Sequence, residues 1–231
     1  MRLVLNNIII FIFIFIFIKG LAAKDLSAHY KIELGSLDLG TLEWILMIEK
    51  KNYTTSMILK DRGFFSKIYR FNGEYLSKGK IVNNIFVSSK YTQYWKTKKK
   101  TRWVEIIFKD KKISSMILKP IEKESPRINH LDIENLNDPL SSFLNVLLND
   151  NTDFKTIDGR RLYKMSPELK KKSGDIYSIK IIIKDYINIW ADHERNDLQF
   201  ILTTQDVSKN KYFPTMIKIK NKGLTFALTK I

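Results

Sequence analysis

Cysteine is absent from the 231 residues. Its absence excludes disulfides, thiolate zinc sites, iron–sulfur clusters and a lipidated N-terminal cysteine. Alanine (5), proline (5), arginine (8) and glycine (9) are scarce, whereas isoleucine (33), lysine (32) and asparagine (16) abound. The abundant residues have A/T-rich codons, so much of the net charge of +16 is a compositional drift toward lysine. Such a charge is weak evidence for a polyanion partner, and no nucleic acid is expected. Residues that run against the drift, such as Arg and Trp, carry more information where they cluster.

Catalytic signatures are missing as well. There is no GxSxG, HExxH, P-loop or GxGxxG. The three histidines are His29, His130 and His193. Asp192-His193-Glu194 is the most metal-like cluster, but one His between two acids on a loop reads as a solvated charge run. Glu122/Glu124 and Asp132/Glu134 are sequence neighbours on a connector, with nothing to oppose them across a scissile bond. No enzyme, metal or cofactor is expected; a hydrolase is the weakest of the alternatives.

What the chain does have begins with an address. Arg2 precedes an unbroken apolar run from Ile8 to Ile18, closed by Lys19-Gly20 and followed by Leu21-Ala22-Ala23. Eleven apolar residues as a helix reach about 16 Å, roughly half of a bilayer core. Residues 1–23 therefore read as a secretory signal cleaved near Ala22 or Ala23. A retained inner-membrane anchor is the alternative. Residues 24–231 read as a single periplasmic domain, of net charge +14 once Arg2 and Lys19 are gone.

That domain is rich in period-2 patterns. Leu26, Ala28, Tyr30, Ile32 and Leu34 alternate with polar residues, and after Gly35-Ser36 so do Leu42, Trp44, Leu46 and Ile48. Further strands are expected at 53–60, 74–79, 85–96, 101–109, 112–118, 160–166, 175–184, 197–206, 212–220 and 224–230. Lys170 to Gly174 reads as a basic loop, and Phe64, Phe65, Ile68 and Tyr69 have the spacing of a short helix or turn. One helix stands out. Asp138 is an N-cap, Pro139 a first helical residue, and Leu140, Phe143, Leu144, Leu147 and Leu148 form an apolar stripe ending at Asn149. The expected fold is mainly β, a curled antiparallel sheet or half-barrel with one helix packed on its concave side.

Asp158-Gly159-Arg160-Arg161-Leu162-Tyr163 pairs a turn with two of only eight arginines. Neighbours on a strand point to opposite faces. An arginine that pairs with Asp138 or Asp158 to pin the helix, or one that clamps an anion, are both open readings.

Tyr30 with Leu34-Gly35-Ser36-Leu37-Asp38-Leu39-Gly40, Asp138-Pro139-Leu140-Ser141, and Asp158 to Tyr163, followed by Leu198 to Leu202, Asp206 and Pro214, resemble in order and spacing the exported bacterial proteins of domain of unknown function 3108. The resemblance spans nearly all of the chain after residue 23. It implies a curled antiparallel sheet similar to that of periplasmic lipoprotein carriers, and it brings no catalytic residues. Many relatives carry cysteines that this chain lacks.

Two functional expectations follow from different classes. In the first, the concave face binds an apolar ligand, a lipid, acyl chain or hydrophobic segment of another envelope protein. Trp44, Leu46, Trp95, Trp103 and Phe143 would line it, and Arg160 or Arg161 would meet an anionic head group. In the second, the interior is filled and the protein acts through surface contacts, including peripheral membrane contact through Lys96 to Lys100 and Lys170 to Lys172. A greasy void of a few hundred Å³ beside the helix favours the first.

Overall fold

A computed structural model of the chain describes residues 24–62, 70–149, 152–191 and 198–231. The proposed signal, the Phe64–Tyr69 spacing and the Asp192-His193-Glu194 cluster lie outside these residues. Seven strands come first: β1 (Lys24–Leu34), β2 (Leu37–Glu49), β3 (Asn52–Asp61), β4 (Phe71–Val82), β5 (Ile85–Thr97), β6 (Thr101–Lys109) and β7 (Lys112–Lys119). A long connector leads to the helix α1 (Pro139–Leu148). Six more strands follow: β8 (Phe154–Ile157), β9 (Arg161–Ser173), β10 (Ile176–Asn188), β11 (Leu198–Asp206), β12 (Met216–Asn221) and β13 (Leu224–Lys230).

These form one antiparallel sheet of 13 described strands, in the order β7-β6-β5-β4-β3-β2-β1-β13-β12-β11-β10-β9-β8. It is two meanders zipped together where β1 meets β13, with Ile32 opposite Leu228. Tight turns make the meanders. Asn83-Asn84, Asp110-Lys111 and Lys222-Gly223 each place two successive residues at positive φ, the turn that matches the twist of the strands it joins. The sheet curls and does not close; β7 and β8 are its free edges.

The seam between those edges is bridged by other means. The Leu136 N–H donates to Lys111 O at 2.9 Å, Asn137 N–H to Lys155 O at 2.9 Å, and Ile157 N–H to Asn137 O at 2.9 Å. A short piece of connector thus stands between the β6–β7 turn and β8. Gly159 completes the contact. A Cβ there would lie 2.6 Å from Val104 Cγ1 and 3.0 Å from Leu118 Cδ2, so only glycine lets the β8–β9 turn press on β6 and β7.

Helix α1 occupies the rest of the opening. The start of β5 runs past its partner, because the ladder with β6 begins only at Lys90. Unpaired strand groups buried away from water are costly. Asn145 of α1 supplies the missing partners: its Nδ2 donates to Phe86 O at 2.8 Å and its Oδ1 accepts from Phe86 N–H at 2.7 Å. Asn137 accepts from Ser88 N–H at 3.0 Å. On the far side, Thr156 of β8 donates to Ser142 Oγ at 2.7 Å. The helix is consequently buried all round, Ser141, Ser142 and Asn145 included, where the sequence stripe suggested a helix with one wet face.

The expected alternation in β1 and β2 is observed. Ala28, Tyr30, Ile32, Leu42, Trp44 and Leu46 face inward and are buried. They meet Phe143, Leu144 and Leu147 of α1 in the main core. Burying such side chains contributes about 1.5–3 kcal/mol each, as an upper bound. A second core, of Tyr91, Val104, Ile106, Leu136, Ile157, Leu162 and Ile189 among others, lies along the seam under the connector. One expectation fails here. Lys170 to Lys172 are not a loop; they are paired with β10, Lys172 opposite Tyr177. The Nζ atoms of Lys170 and Lys172 stand 5.1 and 5.3 Å from the Tyr177 ring centroid.

Candidate functional site

The interior is filled at one end and hollow at the other. At the helix end, Trp44 packs on Phe143 and Phe213, with ring centroids 5.7 and 5.0 Å apart, and donates from Nε1 to Thr55 Oγ1 at 2.9 Å. Leu46 is equally buried. Toward the other end, the inner faces of β1 to β5 and of β12 and β13 separate. A cavity of about 650 Å³ opens there, lined by Ile32, Leu34, Leu59, Phe71, Trp95 and Phe226 among others. Ile219 and Leu228 continue into a smaller hollow of about 160 Å³ that stops against Pro139, Leu140 and Phe143. Every residue that lines the smaller hollow is apolar. The result is an apolar chamber with its mouth at the turns 35–36 and 222–223 and its floor at the start of α1.

This distribution sorts the residues singled out from the sequence. Trp95 lines the mouth and Phe143 the floor. Trp44 and Leu46 are core behind the floor rather than chamber wall. Trp103 is not in the chamber. Its neighbour Val104 points inward and is buried, so Trp103 points outward, where Lys119 Nζ stands 5.6 Å from its ring centroid. Trp103 borders an outer cleft with Tyr94, Lys99, Lys100, Arg102 and Lys119.

Both arginines of the pair are engaged. The Arg160 guanidinium donates from Nε to Glu122 of the connector, and from Nη2 to Pro120 O at 3.3 Å. Arg161 pairs with Asp158 at 3.5 Å. Asp158 also caps its own turn, accepting from the N–H groups of Arg160 and Arg161 at 2.9 and 2.8 Å. Asp138 pairs with neither.

Two features were missed in the sequence. The first is a buried polar knot around Asp138, which is fully buried. Its Oδ1 accepts from Leu140 N–H (2.8 Å) and Ser141 N–H (3.0 Å), as an N-cap does. Its Oδ2 accepts from the hydroxyls of Ser77 (2.6 Å), Ser88 (2.5 Å) and Ser141 (2.6 Å). Because Ser141 spends its proton on Asp138, the Tyr53 hydroxyl donates to Ser141 Oγ at 2.5 Å. Burial, and next the Asp138 charge, push the Tyr53 hydroxyl well above its ordinary pKa. The knot ties α1 to β3, β4 and β5, and it sits in the packed half of the interior. The Asp138 residue itself was legible as a cap; its partners, 50 and 61 residues away, carry no local signal.

The second is Arg102, directly opposite Trp95 in the β5–β6 ladder. Burial, and after it the nearby charges of Arg160 and Arg161, lower its pKa. Arg102 lines the outer cleft beside Trp103, and an arginine between Val104 and a basic hairpin tip interrupts the apolar alternation of β6, which was the available clue.

His130 in the connector is also buried, with its ring centroid 5.7 Å from that of Trp190. Burial holds its pKa below the ordinary 6.5, partly offset by a backbone hydrogen bond with Ile128. The folded state therefore prefers the neutral ring, and the unfolded chain takes up a proton first as pH falls. Stability is full above the ordinary value and declines as pH drops through it toward the folded value. Replacing His130 with Gln is expected to flatten the fall in Tm between about pH 7 and 5. Thermal scans followed by Trp fluorescence check this, and an unchanged slope refutes it.

Among the described residues no group of three metal-ligating side chains occurs, and no helix is long and apolar enough to cross a membrane. No protein-family model and no curated protein matches the chain. Among solved structures, the fold is similar to a β-barrel-like protein of domain of unknown function DUF1849 from Brucella abortus. That likeness has a TM-score of 0.56 at 11% identity, over 89% of this chain and 94% of that one. A hypothetical protein, CT021 from Chlamydia trachomatis, is 11% identical over 88% of this chain and 85% of its own, with a TM-score of 0.32. The first similarity defines the class: a β-barrel-like fold.

Proposed function

We propose that the protein is an exported periplasmic binding protein that holds the acyl chain of a lipid-like ligand inside its curled sheet. The single observation that carries this reading is the chamber of about 650 Å³ beside Trp95, walled, Asn221 apart, by aliphatic and aromatic side chains. Its size falls within the ~300–1,000 Å³ of small-molecule sites, which are likewise mostly apolar and concave. An apolar hollow of this kind gains by exchanging weakly held water for hydrocarbon. The export signal read in residues 1–23 supplies the compartment. The motif order resembles that of domain of unknown function 3108, whose likeness to lipoprotein carriers is in keeping with envelope work. The basic tip Thr97–Lys100, beside Tyr94 and Trp103 at the rim, supports peripheral contact with an anionic membrane.

The test is direct. The full chain, purified without detergent, is expected to yield a stoichiometric acyl-chain compound in organic extracts analysed by mass spectrometry. Stripped protein is expected to show saturable quenching of Trp fluorescence by a brominated fatty acid, abolished in a Trp95→Phe variant for the component that reports the mouth. Extracts without lipid, together with no saturable quenching, overturn the reading.

A further inference from the structure

The open cleft beside Trp103 measures about 820 Å³ and is lined by Tyr94, Lys99, Lys100, Arg102 and Lys119 among others. The strand ladder builds it. Trp103 stands opposite Tyr94 on one side and Lys119 on the other, and directly opposed residues project from the same face of a sheet. Tyr94, Trp103 and Lys119 are therefore one row on the outer face. Lys99 and Lys100 come from the β5–β6 turn, and Arg102 from the start of β6. Four cations share the hollow, and among the described residues no carboxylate lines it. Glu105, two residues along β6 on the same face, is held by Lys90 at 2.7 Å. Glu74, opposite Tyr94 on β4, is outside the lining.

The cleft lies at the mouth end of the sheet. Phe71 and Trp95 both line the chamber, and Phe71 is opposite Thr97, where the β5–β6 turn begins. Their rings stack with centroids 5.8 Å apart. The chamber opens on the inner side of these strand ends, and the cleft on the outer side. Aliphatic side chains project at the same end. Leu37 and Leu224, beside the turns that bound the mouth, are 54% and 50% exposed, and Ile121, just past Lys119-Pro120, is 83% exposed. Clustered lysines, an outward Trp–Tyr pair and protruding aliphatic tips suit a surface that rests in the headgroup layer of an anionic bilayer.

We infer that this end docks on a bilayer of anionic phospholipid, that a headgroup phosphate seats in the cleft among Lys99, Lys100, Arg102 and Lys119, and that the chamber mouth is thereby turned to the membrane. The Arg102 guanidinium presents a planar fork of donors suited to a phosphate, and the lysines add charge around it. Trp103 and Tyr94 have the apolar body and polar tip of side chains that settle at a membrane–water interface. The peripheral contact proposed above thus gains a seat and an orientation. The docking stands on the cleft. Only its use, passage of an acyl chain between bilayer and chamber without crossing water, rests on the acyl-chain reading.

The full chain is mixed with vesicles of phosphatidylcholine, alone or with phosphatidylglycerol, and bound protein is read by cosedimentation. Residues 1–23 are the same in every variant, so differences between variants report the cleft. Wild type is expected to prefer the anionic vesicles. Lys99→Gln with Lys100→Gln is expected to weaken that binding about 30-fold, roughly fivefold for each charge removed near the surface. Lys50→Gln with Lys51→Gln, in the β2–β3 turn at the opposite end, removes the same charge and is expected to change it less than about twofold, because exposed charges beyond a screening length count little. Arg102→Lys, with an unaltered Tm as the folding control, keeps the charge without the fork and is expected to weaken binding about fivefold. Lipids brominated near the headgroup are expected to quench Trp fluorescence, and Trp103→Phe to lose that component. Equal binding of both vesicles by wild type, or equal losses from the two lysine pairs, overturns the docking. Wild-type binding by Arg102→Lys overturns the phosphate seat, and quenching unchanged in Trp103→Phe overturns the orientation. Preference for anionic vesicles with no acyl compound in extracts leaves the docking standing and removes the chamber reading; the reverse pattern does the opposite.

Discussion

Replacing Asp138 with alanine is expected to lower the unfolding free energy by about 3–5 kcal/mol. The change strands five donors in a place that water does not reach. Two are the first N–H groups of α1, and three are the hydroxyls of Ser77, Ser88 and Ser141. Loss of an N-cap alone costs about 0.5–2 kcal/mol. Each remaining buried donor adds to that, and the hydroxyls recover part by turning to one another, since Ser77 and Ser141 already lie 2.9 Å apart. For a chain of this size the loss corresponds to a Tm lower by about 2–4 °C per kcal/mol. Asp138→Asn is expected to lose less, because it keeps an acceptor for the helix N–H groups and its amide can donate to rotated hydroxyls. Chemical denaturation of the three proteins, with helix content followed by far-UV circular dichroism, decides the matter. A loss below about 1 kcal/mol for the alanine variant would show that the knot does not hold the helix.

Gly159→Val is expected to cost about 2–5 kcal/mol and to open the seam. Two effects combine. The residue has φ of +93°, where a β-branched side chain is strained. Its new methyl groups would also collide with Val104 and Leu118. Relief requires the β8–β9 turn to withdraw from β6 and β7, which draws Gly159 O away from the Trp190 indole that donates to it at 3.0 Å. Gly174→Ala is the control, because its φ of +58° meets open space, with nothing within 4 Å. That variant is expected to lose only about 1 kcal/mol of backbone strain. Urea unfolding monitored by Trp fluorescence gives both values, and equal costs for the two would remove the seam contact from the account.

What the sequence disclosed follows from how local each signal is. The alternation of Leu42, Trp44 and Leu46, and the Asp138-Pro139 start of the helix, are properties of adjacent residues, and the structure has them where the pattern puts them. β8 escaped because it is four residues long, with Lys155 and Thr156 in its middle. The end of β9 escaped for a different reason. β8 covers it only as far as Met165, so Pro167 and Lys170 to Lys172 lie on an edge open to solvent. Proline and lysine are the residues that discourage a stray strand from adding there. The lysines read as loop in the sequence and act as edge protection in the fold.

The site was less legible. Aromatic content pointed to an interior hollow, and Trp95 and Phe143 do line one, but Trp44 and Leu46 are packed and Trp103 faces out. Which half of a curled sheet is hollow depends on where the helix comes to rest. That is set by Asn145 finding the bare stretch of β5, 59 residues earlier.

The meeting of β1 with β13 has a kinetic consequence. Within each meander every ladder joins neighbours in the chain, so pairing can advance one hairpin at a time during synthesis. The zip between Tyr30–Leu34 and Phe226–Lys230 closes a loop of almost the whole domain, and such closure is slow to find. Until β13 leaves the ribosome, β1 has a bare flank and the oily hollow has no second wall. A chain still being synthesised would expose both.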